Sequence, residues 1–162
     1  MKKRIILSLL AGMLTMSSFA QFECGKKYIG ASLSGFDLSY NGSEKGNLGL
    51  SAKVGYLFVD DLMATASIAY DKQNDVPAAY SFGVGARYYI IQNGLFLGAS
   101  VDYRHATKDF NDLMPSVQVG YAFFLSKTVT VEPEVYYEQS FKNHSDYSKI
   151  GFRVGVGVYL CG

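Results

Sequence analysis

Apolar residues alternate with small or polar residues along nearly the whole chain after Lys27. A period of two is typical of β-strands with two unlike faces, and apolar residues at helical spacing are almost absent. Tilted strands of about 9–11 residues are long enough to cross a bilayer. The pattern predicts eight strands, which cover residues 27–40, 47–58, 62–72, 79–90, 95–105, 112–124, 128–141 and 147–160.

The connections between these strands alternate in length. Those after the second, fourth and sixth strands are tight turns at 59–61, 92–94 and 125–127. The second of them contains Asn-Gly, a strong hairpin signal because both residues tolerate positive φ. The other connections are longer and more polar, as at 73–77 and 142–146. Short turns at one end and longer loops at the other indicate an all-β, eight-stranded antiparallel up-and-down transmembrane β-barrel.

One face of each strand carries bulky apolar residues without charge, such as Leu50, Val54 and Tyr56 in the second strand. The other face carries glycines, hydroxyls and charges. A soluble barrel of the lipocalin type, with the apolar face inside, is the alternative. The many glycines favour a crowded lumen on the polar side, since an eight-stranded barrel has little interior room. Aromatic residues near both strand ends resemble the two girdles of a lipid-facing wall. We therefore expect the apolar face to point outward.

The first strand changes phase along its length. Ile29 and Leu33 share one parity, whereas Phe36 and Leu38 share the other. A β-bulge inserts one extra residue into a strand and shifts its alternation. We expect a bulge near Ser34-Gly35.

The polar face carries five basic and five acidic residues, and this balance favours mutual pairing inside the lumen, because buried charges need partners. Three glutamates on the seventh strand could alternatively hold a hard cation. The pairing interpretation needs no ion, and it also argues against a wide channel. The predicted lumen charge network consists of Lys53, Asp71, Arg87, Asp102, Arg104, Glu132, Glu134, Glu138, Lys149 and Arg153.

Residues 1–20 have the anatomy of a secretory signal peptide. Lys2, Lys3 and Arg4 precede an apolar run over residues 5–14, and small residues lead to a predicted cleavage after Ala20. The run is too short for a membrane-spanning helix, which needs about 20 residues. Cleavage would leave a barrel domain of residues 21–162 with a net charge near −2 instead of +1. That charge gives no reason to expect nucleic acid as a partner.

The signal peptide, the alternating strands and the repeated glycine–aromatic hairpins make the chain resemble the small outer-membrane β-barrel proteins of the OmpA/OmpX/OmpW type. The resemblance covers the whole mature chain. It implies a location in the cell outer membrane, with outer-membrane lipid and the barrel assembly machinery as partners and a single copy as the working unit. One departure is that Tyr159 is followed by residues 160–162, whereas such barrels usually end on an aromatic residue.

The two cysteines, Cys24 and Cys161, lie at opposite ends of the predicted barrel sequence. The first and last strands of a closed barrel must pair, and the periplasm permits disulfides. In the chain-entropy model a disulfide that closes so long a loop is worth about 4–5 kcal/mol. We take Cys24–Cys161 as a candidate disulfide, with two unpaired cysteines as the alternative.

Catalytic chemistry has little support in the sequence. His105 and Thr107 could serve a lipid-modifying enzyme, in which a base activates a hydroxyl nucleophile. One such pair is a weak signal, and no phosphate-binding glycine loop or zinc-type spacing occurs. We expect a protein without enzymatic activity, metal or cofactor. Three roles remain: a structural or surface-interaction protein with a filled polar lumen, a narrow conduit for small or amphipathic solutes, and an outer-membrane lipid-modifying enzyme.

Overall fold

The computed structural model describes residues 22–39, 47–73, 76–90, 94–106, 110–141 and 148–161. Two of its strands, β6 (Phe110–Tyr121) and β7 (Phe123–Phe124), are separated only by Ala122 and together form one strand of the wall. The strands are β1 (Lys27–Ser39), β2 (Asn47–Val59), β3 (Leu62–Gln73), β4 (Val76–Tyr89), β5 (Leu95–Ala106), β6 (Phe110–Tyr121), β7 (Phe123–Phe124), β8 (Val129–Glu138) and β9 (Lys149–Leu160).

The wall closes on itself as an eight-stranded antiparallel barrel. Each strand from β1 to β5 pairs with the next along the chain, β8 pairs with both β6 and β7, and β9 pairs with β8. β1 completes the circle by pairing with β9, from Lys27↔Leu160 to Ser39↔Lys149. Closure leaves no open sheet edge among the strands that the structure describes. The predicted fold class is confirmed.

The predicted strand ends agree with the observed ones to within three residues. The largest discrepancy at a C-terminal end is in the seventh predicted strand, which ends at Glu138 and not at residue 141. Ser116↔Glu138 is the last pair between β6 and β8 there. The next backbone bond runs from Gln139 N to Pro115 O at 2.9 Å. Because proline has no N–H to return, the ladder stops at this point.

The apolar face of the wall points outward. Ile68, Val84 and Val156 are 60%, 55% and 50% exposed, whereas Arg87 and Glu132 on the opposite parity are 1% and 2% exposed. The predicted orientation of the strands is confirmed, and the lipocalin-type alternative is wrong for this chain. Among the described residues there is no apolar helix of membrane-spanning length.

The bulge predicted in the first strand is confirmed. β1 pairs with β9 as Ser34↔Arg153 and then as Phe36↔Phe152. One residue of β1 is therefore left over at Gly35, and the alternation of the strand changes parity there.

The interior is not polar over its whole length, and in this respect the expectation of a polar lumen needs correction. At the end of the barrel where β1 begins and β9 ends, which also carries the tight turns, the inward positions are filled by apolar and aromatic side chains. We call this cluster the apolar plug; it consists of Phe22, Tyr28, Leu57, Met63, Tyr89, Phe96, Ala122 and Tyr159, with Phe124 packed against it.

Candidate functional site: the closed lumen

The centre of the lumen is crossed by an ion-pair layer between strands that are not neighbours. Arg87 on β4 places Nη1 2.7 Å from Glu132 Oε2 and Nη2 3.2 Å from Glu134 Oε2, both on β8. All three side chains are at most 5% exposed. Buried charges are tolerated when they are paired and hydrogen-bonded. Arg87 therefore ties opposite sides of the wall together.

Glu132 accepts hydrogen bonds on both carboxylate oxygens. Besides Arg87, the hydroxyl of Tyr28 donates to Oε2 at 2.9 Å. Thr130 Oγ1 and the Tyr159 hydroxyl donate to Oε1 at 2.8 and 3.1 Å. A carboxylate with this many donors is well satisfied inside the barrel. The Glu132 carboxylate is thus fully hydrogen-bonded, whereas Arg87 Nε, in the same layer, is buried without a hydrogen-bond partner.

Glu134 connects the layer to the next basic residues. Arg153 Nε lies 2.5 Å from Glu134 Oε1, and Lys53 Nζ lies 4.0 Å from the same oxygen. Lys53 Nζ also donates to Gln118 Oε1 at 3.4 Å. The Arg153 guanidinium lies over the Tyr136 ring, 4.4 Å from its centroid. Guanidinium groups gain from such stacking as well as from ion pairing.

The other acidic and basic residues lie nearer the long-loop end. Arg104 Nη2 pairs with Asp71 Oδ2 at 3.4 Å. Asp102 Oδ2 accepts from Ser100 Oγ at 3.0 Å and from Ser116 Oγ at 3.4 Å.

These groups, with Glu138, line a polar chamber that has room for the centres of water molecules over about 50 Å³. A volume of this size holds only a few waters. Lys149 belongs to β9 by its backbone, but its side chain lies outside the described residues.

The apolar plug closes the lumen on the other side of the layer. Phe22 lies in the segment before β1 and is completely buried. Its ring stacks on Tyr89 with the centroids 3.7 Å apart, and Tyr159 and Phe124 meet it edge-on at 5.5 and 5.6 Å. Asp61 N donates to Phe22 O at 2.9 Å, which fixes the segment to the β2–β3 turn.

The plug and the ion-pair layer are in direct contact. The Arg87 guanidinium lies over the Phe96 ring, 3.9 Å from its centroid. The sequence analysis does not predict the plug, although the plug residues within strands occupy the positions whose side chains point inward. Extending the inward positions of β2, β3 and β4 to the tight turns identifies Leu57, Met63 and Tyr89. The alternation gives no signal for Phe22, because this residue precedes the first strand.

The two cysteines are unpaired in the structure, and both are exposed. Cys24 N donates to Asp60 Oδ1 at 2.8 Å, and Cys24 Sγ donates to Phe58 O at 3.3 Å. Both partners belong to the end of β2 and its turn, whereas Cys161 follows β9. Because β1 runs between β2 and β9, the segment that holds Cys24 has folded to the side away from Cys161. The candidate disulfide is not formed.

His105 and Thr107, the weak signal for a lipid-modifying enzyme, are only partly described. His105 Nδ1 donates to Asn111 Oδ1 at 2.6 Å, on the outer surface near the long-loop end. Thr107 lies outside the described residues. Among the residues that the structure describes, no three histidine, cysteine, aspartate or glutamate side chains converge as a metal site.

No known family profile and no curated protein matches the chain. Solved structures do match it. Neisserial surface protein A is similar with a TM-score of 0.61 and 18% identity over 83% of this chain and 96% of that one. The N-terminal β-barrel domain of Pseudomonas aeruginosa OprF gives 0.61 and 13% over 85% and 98%. The Yersinia pestis outer membrane protein Ail, in a phospholipid bilayer nanodisc, gives 0.56 and 16% over 84% and 99%. The chain therefore has the fold of the small outer-membrane β-barrels, as the sequence predicted.

Proposed function

We propose that this chain is an exported outer-membrane protein that spans the membrane with its β-strands. The support is a continuous outward belt of apolar residues, edged by Tyr56 and Tyr88 near the tight turns and by Tyr80 and Tyr103 near the long loops. Such girdles occupy the two membrane–water interfaces of transmembrane barrels. The even number of wall strands puts both chain ends at one end, which we assign to the periplasm. Residues 1–20, which we assign to the cleaved signal peptide, lie outside the described residues.

Within the membrane the protein acts as a closed barrel and not as a conduit. The observation that carries this proposal is the pairing of Arg87 with Glu132 and Glu134 across the lumen, directly above the apolar plug. A hydrated ion that crossed would have to displace a buried guanidinium and then a stack of aromatic rings. A buried charge that loses its partner typically costs about 3–5 kcal/mol. Because opening the lumen would separate Arg87 from Glu132 and Glu134, thermal opening is rare.

Because the lumen is closed, only the loops and the outer wall are available for contact with other molecules. The protein would therefore have a structural or surface-interaction role, with outer-membrane lipid and the barrel assembly machinery as its partners and no catalytic step. One of the similar structures is named as a surface protein, Neisserial surface protein A, and another as the attachment invasion locus protein Ail. Their names describe those proteins and agree with this role for the fold.

The test is single-channel recording in planar bilayers with the refolded mature chain. Faster gel migration without boiling establishes that the sample is a folded barrel, and a general porin in the same bilayer gives the positive control. We expect no steady current. Steady, reproducible steps would overturn the closed-barrel role in favour of the narrow conduit. A mature protein that stayed monomeric in buffer without detergent would contradict the membrane location itself.

A further inference from the structure

The segment that precedes β1 is held on one side of that strand by a small set of hydrogen bonds. We call residues 22–26 the strap. Cys24 N donates to Asp60 Oδ1 at 2.8 Å, and Asp61 N donates to Phe22 O at 2.9 Å. Both aspartates belong to the turn between β2 and β3. The strap therefore lies against the end of β2.

Gly25 is the hinge of the strap. Its φ of +91° lies in the left-handed region, which glycine adopts far more readily than other residues. A Cβ at this position would meet no atom within 4 Å, so the backbone conformation alone favours glycine here. Gly25 N donates to Leu57 O at 2.8 Å, which holds the hinge beside β2. A change of φ at Gly25 to a negative value would redirect Cys24 to the other side of β1.

The other side of β1 carries the second cysteine. Cys161 directly follows Leu160, whose register partner on β1 is Lys27. Neighbouring strands lie about 4.8 Å apart, so the two sides of β1 are separated by about 10 Å. A disulfide needs Cα atoms about 4.4–6.8 Å apart, which keeps Cys24 from Cys161 while the strap lies against β2. Three residues of extended chain, the distance from Cys24 to Lys27, span about 10 Å. A swing about Gly25 is therefore long enough to bring the two cysteines together.

Such a swing has a consequence inside the lumen, because Phe22 is only two residues from Cys24. Two residues of chain span at most about 7 Å. The Phe22 ring is completely buried and stacks on Tyr89 of β4, with the centroids 3.7 Å apart. Moving Cys24 to the β9 side breaks the hydrogen bond from Asp61 N to Phe22 O and draws the ring away from Tyr89.

We propose that the strap is a redox-sensitive device, in which a disulfide between Cys24 and Cys161 withdraws Phe22 from the apolar plug. The proposal rests on the assignment of this end of the barrel to the periplasm, a compartment in which disulfides form and persist. Both cysteines are exposed, so a disulfide donor has access to them. Oxidation would loosen the plug, whereas the reduced chain keeps it packed.

The oxidant is a disulfide donor, either a small molecule or a thiol–disulfide oxidoreductase. The Cys161 thiolate attacks the donor disulfide, and one donor sulfur leaves as a thiol. The Cys24 thiolate then attacks the sulfur of Cys161, and the second donor sulfur leaves as a thiol. Two electrons pass to the donor, and the two protons of the cysteine thiols end on its two sulfurs.

The test is the equilibrium of the folded barrel in micelles with a buffer of reduced and oxidised glutathione. Acid-quenched samples are measured by intact mass, which distinguishes free thiols, glutathione adducts and an internal disulfide. Cys24→Ser and Cys161→Ser are the blanks, because neither variant can form the internal bond. Heat-dependent gel mobility establishes that each sample is a folded barrel, and a non-reducing gel detects linked dimers.

We expect the internal disulfide to form in the wild type. Phe22→Ala should raise its equilibrium constant at least about tenfold, because the burial of that ring no longer opposes the swing. Phe96→Ala is the matched control, since it truncates a phenylalanine of the plug outside the strap, and it should change the constant by less than about twofold. Gly25→Ala leaves the plug intact and should also favour the disulfide, because alanine disfavours the positive φ that holds Cys24 beside β2.

Each other result contradicts a defined part of the proposal. Glutathione adducts or linked dimers without an internal disulfide would show that Cys24 does not reach Cys161, and the strap would be wrong. An internal disulfide whose equilibrium constant is the same in Phe22→Ala would overturn the coupling to the plug. A mature chain that forms the disulfide but stays monomeric in buffer without detergent would contradict the proposed membrane location and not the strap.

Discussion

The ring of Phe22 lies parallel to the ring of Tyr89, with 11° between their planes and 3.7 Å between their centroids. The Tyr89 hydroxyl in turn shares a hydrogen bond of 2.7 Å with the Tyr159 hydroxyl. The segment before β1 is thereby joined to β4 and β9 inside the barrel. The contact is a long-range one, and it places the start of the described chain within the plug that closes one end of the lumen.

Replacing Phe22 with alanine should destabilise the barrel measurably. Truncating a fully buried phenylalanine costs about 3–5 kcal/mol, and we expect the lower end, about 3 kcal/mol, because a terminal segment can rearrange. The measurement is urea unfolding of the refolded mature protein in micelles, where the midpoint should fall with an unchanged slope.

Phe141 gives the matched control for this change, since it is the same residue type and is 70% exposed. Phe141→Ala should change the free energy of unfolding by less than about 0.5 kcal/mol. Equal effects of the two substitutions would show that Phe22 is not held in the plug.

Removing the central cation should be more damaging than removing one near the rim. Arg87→Met leaves Glu132 and Glu134 as buried carboxylates without their shared partner, and this should cost about 3–5 kcal/mol. Arg104→Met breaks the more exposed pair with Asp71, which should cost about 1 kcal/mol or less. Urea unfolding in micelles measures both variants.

A rescue experiment separates charge from packing at this position. Neutralising Glu132 with Glu132→Gln in the Arg87→Met background should recover part of the lost stability, because a neutral amide is cheaper to bury without a cation, while Glu134 keeps Arg153 and Lys53 as partners. If the double variant were less stable than Arg87→Met alone, the loss would come from packing around the guanidinium and not from unpaired charge.

The sequence predicts more of the wall than of the interior. The physical reason is that the alternation within one strand decides which side chains face outward, whereas contacts inside the lumen join residues far apart in the sequence. The period of two fixes which side chains of a strand share a face, so the outward Ile68 and the inward Arg87 are both accessible to prediction. The bulge after Ser34 is also visible, because it shifts that local period. Which inward charges meet depends on strand tilt and stagger. Arg87 reaches Glu132 and Glu134 across the lumen, and nothing along β4 or β8 specifies that contact.

Residues outside the strands were harder to place for the same reason. Cys24 precedes β1 and Cys161 follows β9, and because these two strands pair, the sequence favours a bond between the cysteines. The bond depends on which side of β1 the preceding segment folds, and that is decided by local contacts such as Cys24 N with Asp60 and Gly25 N with Leu57 O at 2.8 Å. The residues before β1 have no alternating pattern, so the sequence does not indicate to which side of β1 this segment folds.

Both thiols should accordingly react in the folded protein. We expect a maleimide reagent to add two labels to the non-reduced barrel in micelles, measured by intact mass, because Cys24 and Cys161 are both exposed. Cys24→Ser and Cys161→Ser should each remove one label. Labelling that appears only after treatment with a reductant would mean that the two cysteines are bonded.

Gly120 tests how tightly the lumen is filled where β6 meets β8. A Cβ at this position would clash with the Phe96 ring, with Glu134 Cβ and with the backbone oxygen of Pro133. The first could rotate, but the backbone oxygen can move only if the β6–β8 pair shifts. Gly120→Ala should therefore cost about 1–3 kcal/mol through overpacking, seen as a lower urea midpoint and a lower yield of fast-migrating barrel on gels. Ala86→Val is the control, because Ala86 is exposed on the outer wall and an added methyl group there meets lipid or detergent. A Gly120→Ala protein as stable as the wild type would mean that the lumen has unfilled space beside Glu134. A loosely filled lumen would contradict the tight packing expected of a closed barrel.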